Sequence, residues 1–536
     1  MDEFTRSMTQ TTERYRAAGC WRGDHLGDLL RDWASADPGR TALVAGRRRL
    51  TYGELDCRAD RLAAGLQSIG MERGERVIVQ LPNGPEFLAL AIALFRLAAV
   101  PVFALPSLGK LEIAQLCELT EARFYFIPGR NLRMDYIAMA RELLASSATL
   151  AQVLVAGESG PFRSLDSVDA NPVPLRPPDP SEPAFLLLSG GTTATPKLIP
   201  RTHEDYSCQL RVAAERMGAD ERTVYLAALP MAHNAALGCP GALGTLRVGG
   251  KVVLAPSPSA AEAFSLIEQE GVNLTTLISP LAALWLEAAR ISGKRFPSLT
   301  LELGGAMLDP ALGEELLSSL GCTLSHWFGM AEGVHCCTRP SDSHEVVIHT
   351  QGTPLCALDD LRVVDEGGRD VARGEVGQLL ARGPCTLRGY YGAPEHNAVA
   401  FTRDGYLRTG DLVRIRGDGN LVVEGRLSNS INRGGEKISA EELEGHLTAH
   451  PYVEQAVVVP VPDDILGERT CAYVVMKSAR TATLPQFDAF FAERGLAPFK
   501  RLDDLRIVRS LPLTGMGKVD RAAVRRAMTV GRSALA

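Results

Sequence analysis

Residues 76–106, RVIVQLPNGPEFLALAIALFRLAAVPVFALP, decide the fold class. RVIVQLP and VPVFALP are short apolar runs, which is typical of strands buried within a sheet. PEFLALAIALFRLAAV lies between them and is predicted to be a buried helix. It is not a membrane span, because Arg96 interrupts the apolar run. A strand, a helix and another strand in this order predict parallel strands with a helix covering them.

The same alternation recurs farther along the chain, and then the pattern changes. Strand and helix patterns follow one another in KVVLAP, AEAFSLIEQEG, LTTLISP and AALWLEAAR. After about residue 355, short strands separated by turn dipeptides predict a small antiparallel or barrel-like region. From residue 427 onward, two helical and two strand-like segments predict a small α+β domain. We therefore expect an α/β fold with a large domain at 1–426 and a small, mobile domain at 427–536.

Composition excludes several classes of protein. The net charge of −6 gives no basic surface for nucleic acid or an anionic membrane. No apolar window is long enough for a membrane span, and the N-terminus has no signal-peptide pattern, so a cytoplasmic protein is expected. The 11 cysteines lack CxxC spacing, and the histidines form no cluster with cysteines at the spacing of zinc ligands. The sequence therefore predicts reduced thiols and no structural zinc site.

A loop rich in small residues, SGGTTATPK at 189–197, follows the apolar run FLLL. Backbone N–H groups, hydroxyls and a lysine in such a loop can surround phosphate oxygens. It is not a Walker A motif, because Pro196 stands where that motif needs a glycine. Taken alone, a phosphate-binding loop is the favoured interpretation, and a plain surface turn is the alternative.

Further motifs decide between these interpretations. They are LELGGAM (301–307) with SHWFGMAEG (325–333), GYLRTGDLVRI (405–415), VEGRLSNSINRGGEKISAEELE (423–444) and LPLTGMGKVDR (511–521). In this order and spacing, the chain resembles the adenylate-forming superfamily of acyl-CoA synthetases, luciferases and adenylation domains. The resemblance covers nearly the whole chain. It implies that a carboxylate is joined to the α-phosphate of ATP and that the acyl group then passes to a thiol.

The resemblance also assigns roles to individual residues. It implies catalytic roles for Lys518, His233 and Glu332, with Glu332 holding Mg²⁺. Lys518 would bridge the carboxylate and the α-phosphate. The presence of Glu332, Asp411, Arg426 and Lys518 disfavours an inactive nucleotide binder, and nothing in the predicted acid pocket suggests a luciferase-like oxygenase. ATP would be bound by Ser189, Gly190, Gly191, Thr192, Thr193, Lys197, Gly305, Phe328, Gly329, Asp411 and Arg426. Phe328 could instead be a core side chain.

The chain departs from the superfamily pattern at two places. Ala194 replaces the usual glycine of the phosphate loop, and alanine is disfavoured if that position needs positive φ. Ser428 and Asn429 occupy the hinge, where Asp or Lys followed by Asp is common. Both hinge residues suit a turn, so we expect the small domain to rotate between the two reactions.

The stretch PMAHNAALGCPG (230–241), with ALP (104–106), KLIPRTH and INRGGEK, narrows the resemblance to stand-alone aryl-acid adenylating enzymes. These activate 2,3-dihydroxybenzoate or salicylate for siderophores and related peptides. The resemblance places Asn234 beside the substrate carboxylate and its ortho substituent. The other predicted contacts to the acid are Ala235, Cys239, Gly305, Val334 and His335.

Three of these residues modify the expected acid. Cys239 weighs against 2,3-dihydroxybenzoate, for which serine is usual. Ala235 replaces a common aromatic ring and opens room, and His335 could bind a 3-hydroxyl or a ring nitrogen unless it points away. Salicylate and 3-hydroxyanthranilate are the first candidates, followed by 3-hydroxyquinaldate and 3-hydroxypicolinate.

The sequence shows no phosphopantetheine-attachment pattern after Lys518, so the thiol is expected to belong to a separate carrier protein or to coenzyme A. The resemblance favours a carrier protein, and a benzoate-type CoA ligase is the alternative. The enzyme is expected to be a monomer or a homodimer.

Overall fold

The computed structural model describes residues 12–129, 134–189, 197–305, 308–426, 430–477, 480–512, 521 and 524. The chain divides into two compact units. The larger unit comprises Met1–Pro106, Leu116–Ser189 and Leu198–Gly425. The smaller unit comprises Ser107–Gln115, Gly190–Lys197 and Arg426–Ala536.

The strands are numbered in chain order. They are β1 Thr41–Ala45, β2 Arg48–Thr51, β3 Arg76–Val79, β4 Val100–Phe103, β5 Phe124–Pro128, β6 Gln152–Ala156, β7 Arg163–Ser164, β8 Pro183–Ser189, β9 Lys197–Thr202, β10 Val224–Ala227, β11 Lys251–Leu254, β12 Leu274–Ile278, β13 Thr300–Gly304, β14 Thr323–Gly329, β15 His335–Cys337, β16 Thr353–Pro354, β17 Asp360–Val364, β18 Gly377–Arg382, β19 Leu407–Ile415, β20 Leu421–Arg426, β21 Ser430–Arg433, β22 Glu436–Ser439, β23 Val453–Asp463, β24 Gly467–Met476 and β25 Asp504–Val508.

The α-helices are numbered in the same way. They are α1 Arg31–Ala36, α2 Tyr52–Ser68, α3 Pro85–Leu97, α4 Lys110–Thr120, α5 Tyr136–Ser146, α6 His203–Met217, α7 Asn234–Gly238, α8 Gly241–Arg247, α9 Ala260–Glu270, α10 Ser279–Ser292, α11 Pro310–Glu315, α12 His344–His349, α13 Pro394–Ala400, α14 Ala440–Thr448 and α15 Leu484–Glu493. There are also short 3₁₀ turns at Leu26–Asp28 and Leu165–Ser167 and a π-helical turn at Leu316–Leu320, and residues 12–17, 521 and 524 are helical as well.

Two mostly parallel sheets form the greater part of the larger unit. One has the order β7-β6-β5-β3-β4-β8-β9, and the other has the order β16-β15-β14-β13-β12-β10-β11-β1-β2. The opening stretch supplies β3, the helix α3, which is buried except at Glu86, and β4, and β3 pairs in parallel with β4. The predicted α/β fold is therefore confirmed, and the apolar runs are strands because both faces of the sheet are covered.

The nine-stranded sheet has two chemically different faces. On one face, Leu277, Leu301 and Leu303 pack into an apolar core with Phe264 and Trp285 from α9 and α10. The opposite face carries the polar or aromatic side chains of Tyr225, Thr276, Glu302, Ser325 and Trp327, since side chains alternate along each strand. This second face forms one wall of the site described below.

A separate, smaller sheet with antiparallel pairing begins where the sequence pattern changes. Strands β17, β18 and β19 pair antiparallel, and β20 completes a four-stranded sheet. This region matches the small antiparallel region predicted after residue 355.

The smaller unit is an α+β structure. Its sheet has the order β22-β21-β24-β23, with β25 added in parallel beside β24. Ile431, Leu443, Val458, Phe487 and Phe491 form its buried core together with α14 and α15. The unit therefore has a hydrophobic core of its own, as expected of a separate domain.

Candidate active site

Helix α6 begins with a reciprocal cap that also positions a buried arginine. The Thr202 hydroxyl accepts from the backbone N–H of Asp205, and the Asp205 carboxylate accepts from the N–H of Thr202. The other carboxylate oxygen of Asp205 accepts from Nε of Arg201 at 3.0 Å. Arg201 is fully buried, and its guanidinium lies 4.9 Å from the ring centroid of Tyr206. This pairing neutralises a buried charge that would otherwise be costly.

A hydrogen-bond network links α6 to α7. Arg201 donates through Nη2 to Oε1 of Gln209 at 3.0 Å, so the Gln209 amide nitrogen faces away from the arginine. Gln209 then donates through Nε2 to Gly238 O at 2.9 Å and to Asn234 Oδ1 at 3.3 Å. The Tyr206 hydroxyl donates to the same Oδ1 at 2.9 Å.

This network fixes the orientation of the Asn234 amide. Because Oδ1 accepts from two donors, the NH₂ group of Asn234 points to the other side, where Nδ2 lies 3.5 Å from Sγ of Cys239. Asn234 and Cys239 are both buried, and burial raises the pKa of the Cys239 thiol, which stays protonated. Predicted substrate residues Asn234 and Cys239 are thus brought together, with amide hydrogens as donors for a carboxylate or an ortho oxygen.

His233 is the N-cap of α7. Its Nδ1 accepts from the backbone N–H of Ala235 at 3.2 Å. The role found here for this side chain is to begin the helix that carries Asn234 and Ala235. Its predicted catalytic role stays a prediction.

An aromatic wall lies beside Ala235. Ala235, Trp327 and Cys337 pack in one buried cluster. The Trp327 indole covers Gly304, where an added Cβ would lie 2.3 Å from the ring. Only glycine therefore fits at residue 304 beneath this ring. Its neighbour Gly305 has φ of +80°, a conformation that glycine adopts without strain.

His335 belongs to the same wall. Its ring meets Trp327 edge to face, with the ring centroids 5.7 Å apart. Both ring nitrogens are buried, and neither has a hydrogen-bond partner among the described residues. Burial lowers the pKa of His335 to about 3, so the imidazole is neutral. A buried polar group without a partner is destabilising by about 1–3 kcal/mol, which favours a ligand that supplies the partner.

Glu302 is a site residue that the sequence analysis missed. It lies on the same face of β13 as Gly304, and its carboxyl accepts from Thr276 Oγ1 at 2.8 Å. Burial raises the pKa of Glu302 to about 8, so the carboxyl is mostly protonated at neutral pH. Its charge, when present, acts on Cys239 and raises the pKa of that thiol. The sequence signal that could have identified Glu302 is the presence of a charged residue within the apolar strand LELGG.

Glu332, the predicted magnesium ligand, is held by Tyr390. The Tyr390 hydroxyl donates to Oε1 of Glu332 at 3.0 Å, and the side chain of Glu332 is buried. The following residue, Gly333, has φ of +97°, and an added Cβ would lie 1.6 Å from Cys385 O. Glycine is thus required for the turn that carries Glu332. Tyr390 was also missed, since no motif marks it.

The remaining predicted residues of the larger unit lie on or directly beside strands of two different sheets. Phe328 and Val334 pack in the main apolar cluster, and Gly329 pairs with His335 across β14 and β15. Phe328 is therefore a core side chain in this structure, and its contact with adenine stays a prediction. Asp411 is a buried residue of β19, and its N–H donates to Thr409 Oγ1 at 3.1 Å.

Several predicted residues are placed only in part. Ser189 ends β8, Lys197 begins β9 and Arg426 ends β20. The loop residues Gly190, Gly191, Thr192 and Thr193, the departures Ala194, Ser428 and Asn429, and Lys518 lie outside the described residues. No helix of the described part of the chain is both long enough and apolar enough to cross a membrane.

Two family models match this chain, and the first of them covers most of it. Residues 30–391 match the AMP-binding enzyme family, and residues 442–518 match the AMP-binding enzyme C-terminal domain. The chain belongs to the AMP-binding enzyme family. This confirms the adenylate-forming superfamily that the motifs predict, and members of this family use ATP.

Relatives of this AMP-binding enzyme match along their whole length. The 2,3-dihydroxybenzoate-AMP ligase of Bacillus subtilis is 48% identical over 527 residues, covering 98% of each chain. The salicyl-AMP ligase / salicyl-S-ArCP synthetase of Mycobacterium tuberculosis is 43% identical, covering 96% of this chain and 93% of the relative. The apo structure of MbtA from Mycobacterium smegmatis is 41% identical with a TM-score of 0.75, covering 97% of each chain.

Proposed function

We propose that this AMP-binding enzyme activates an ortho-hydroxy or ortho-amino aryl carboxylic acid with ATP and releases pyrophosphate. The aroyl group then passes from the aryl-AMP intermediate to the phosphopantetheine thiol of a separate carrier protein, and AMP is released. The single observation that carries the proposal is the fixed amide of Asn234, whose NH₂ group lies beside Cys239. A neutral donor suits a carboxylate that brings no ammonium with it. Whole-length relatives named as 2,3-dihydroxybenzoate and salicyl ligases support the same class.

The acid carries a second polar group on its ring. Neutral His335 has two buried nitrogens without partners among the described residues, and Glu302 carries a protonated carboxyl on the same sheet. Salicylate offers only its ortho hydroxyl, which is needed near Asn234. A hydroxyl or nitrogen elsewhere on the ring would satisfy His335, and small Ala235 leaves room for it. We therefore favour an acid of the 3-hydroxyanthranilate type over salicylate.

Glu332 fits the role of magnesium ligand. Mg²⁺ prefers hard oxygen ligands and one or two carboxylates, and the Tyr390 hydroxyl holds Glu332 by one oxygen while the other remains for coordination. When bound, the metal would neutralise charge on the phosphates. The loop 189–197, Asp411 and Arg426 are proposed to bind ATP, and Lys518 is proposed to bridge the reacting carboxylate and the α-phosphate.

The two units are proposed to act as a core and a mobile lid, divided at residues 426 and 427. The lid would bring Lys518 to the core for adenylation and rotate before thiol transfer. The cytoplasm is the proposed compartment, because both ATP and reduced thiols are available there.

Acceptor loading tests the complete proposal. The enzyme, ATP, Mg²⁺ and the aryl acid are incubated with a phosphopantetheinylated aryl carrier protein or with coenzyme A, and the products are measured by intact-mass spectrometry. Faster loading of the carrier protein supports the proposal. Faster formation of aryl-CoA assigns the chain to aryl-CoA ligases and refutes the carrier-protein step.

A further inference from the structure

Four cysteine side chains meet in the larger unit, outside the candidate active site. They are Cys20, Cys208 of α6, Cys356 after β16 and Cys385 after β18. The sulfur atoms of Cys20, Cys208 and Cys356 all lie within 4.8 Å of one another. The Cys385 thiol interacts with that of Cys208, and both pack in one buried cluster with Trp21. These residues are far apart in sequence, which is why no CxxC spacing indicates the cluster.

The spacing of the Cys20, Cys208 and Cys356 sulfur atoms suits a tetrahedral zinc site, and Cys385, whose sulfur is not within 4.8 Å of all three, can complete the ligand set by turning its side chain toward the ion. The sulfur atoms of Cys20 and Cys356 are 3.8 Å apart. Zn–S bonds are about 2.3 Å long, so two sulfurs of a tetrahedral site are separated by about 3.8 Å. If these side chains served only for packing, other apolar side chains would serve equally well in their place. Convergence of four thiols from four separate segments instead matches the ligand set of a structural zinc site.

Basic groups around the cluster suit the charge of such a site. Arg211 lies with Nη2 3.8 Å from Sγ of Cys208, and the same Nη2 donates to Cys20 O at 2.8 Å. Arg201 donates to Cys385 O at 3.1 Å. Four thiolates and one Zn²⁺ carry a net charge of −2, and donors near the sulfur atoms stabilise it.

We propose that Cys20, Cys208, Cys356 and Cys385 bind one structural Zn²⁺ ion. Each thiol releases its proton on binding, and each sulfur supplies an electron pair to the metal. No electron transfer is needed. The ion ties the segment at Cys20 and the loops at Cys356 and Cys385 to α6, the helix that also carries Tyr206 and Gln209. This inference is independent of which acid the enzyme activates.

Metal analysis of the full chain tests the site. The protein is purified under reducing conditions without a polyhistidine tag, and zinc is measured by inductively coupled plasma mass spectrometry. We expect about one zinc per chain, and we expect Cys20→Ser to lose it. Cys20 is only half-buried, so serine is tolerated there. Exposed Cys57→Ser and buried Cys322→Ser are matched controls that should keep the metal.

Cobalt substitution supplies a readout that does not depend on the variants. The chelated protein titrated with Co²⁺ should show thiolate-to-cobalt charge-transfer absorption and the d–d bands of a tetrahedral site. Added ZnCl₂ should abolish both and raise the unfolding temperature of the chelated wild type. Zinc-free protein with four reduced thiols and no cobalt bands would overturn the proposal. A Cys20–Cys356 disulfide found by mass spectrometry would overturn it as well.

Discussion

The Tyr206 hydroxyl donates to Oδ1 of Asn234 at 2.9 Å, and this bond determines which side of the amide faces Cys239. Tyr206 itself is fully buried and shielded by Arg201 on one face. Tyr206 of α6 thereby determines that the NH₂ group of Asn234, on α7, is the donor available to the acid. Tyr206 is a positioning residue, since it acts through Asn234.

Tyr206→Phe is predicted to weaken use of the acid. Loss of one donor to Oδ1 leaves the amide held by Gln209 alone, so we expect kcat/KM for the acid to fall about tenfold, equal to about 1.4 kcal/mol. KM for ATP should stay within twofold or so of wild type. Steady-state pyrophosphate release measures both values. Tyr52→Phe is the matched control, because its buried hydroxyl donates to Leu246 O and Gly250 O instead. Equal losses in the two variants would contradict the positioning role.

His335→Phe is predicted to separate stability from specificity. The change removes two buried nitrogens without partners among the described residues, so the unliganded enzyme should be more stable by about 1–3 kcal/mol. The variant should discriminate less between acids. The ratio of kcat/KM for 3-hydroxyanthranilate to kcat/KM for benzoate should fall at least about tenfold. Thermal unfolding and pyrophosphate release provide the two readouts. An unchanged ratio between the two acids would show that His335 does not contact the ring.

Glu302→Gln is predicted to change how stability depends on pH. The native state keeps the Glu302 proton up to a pKa of about 8, whereas the unfolded state releases it near 4.5. The native state therefore binds more protons between these values, and this contribution to stability is lost as pH rises from 4.5 to 8. Between pH 4.5 and 8, the unfolding temperature of the variant should therefore fall less than that of the wild type. Asp359, with a pKa raised to about 7, is present in both proteins and cancels. Unfolding temperatures that change equally with pH in the wild type and the variant would contradict a protonated Glu302.

Lys518→Ala is predicted to suppress adenylation far more than acyl transfer. The ammonium is assigned to charge that develops when the carboxylate attacks ATP, so we expect a loss of about 10²–10³ in pyrophosphate release. Transfer from preformed aryl-AMP to the thiol should change by less than about tenfold. Stopped-flow measurement of each half-reaction checks this. Equal losses in both steps would remove Lys518 from its assigned role.

The sequence predicted the fold well because its signal is local. The continuous apolar runs of β3 and β4 and the long apolar helix α3 each carry their own pattern. Asn234 and Glu332 could be named as candidates from the sequence because they stand in motifs. Tyr206, Glu302 and Tyr390 could not be assigned in this way, because their roles arise from contacts across tens of residues. The thiol cluster is the extreme case, since Cys20 and Cys356 are 336 positions apart.

The most direct test of the central claim is ATP–pyrophosphate exchange across a panel of aryl acids. The panel contains benzoate, salicylate, 2,3-dihydroxybenzoate, 3-hydroxyanthranilate, 3-hydroxypicolinate and 3-hydroxyquinaldate, with amino acids and fatty acids as controls. We predict the strongest exchange with an ortho-substituted aryl acid that carries a second polar ring group. Exchange with only fatty or amino acids would contradict the assignment of Asn234, Cys239 and His335 to an aryl-acid pocket.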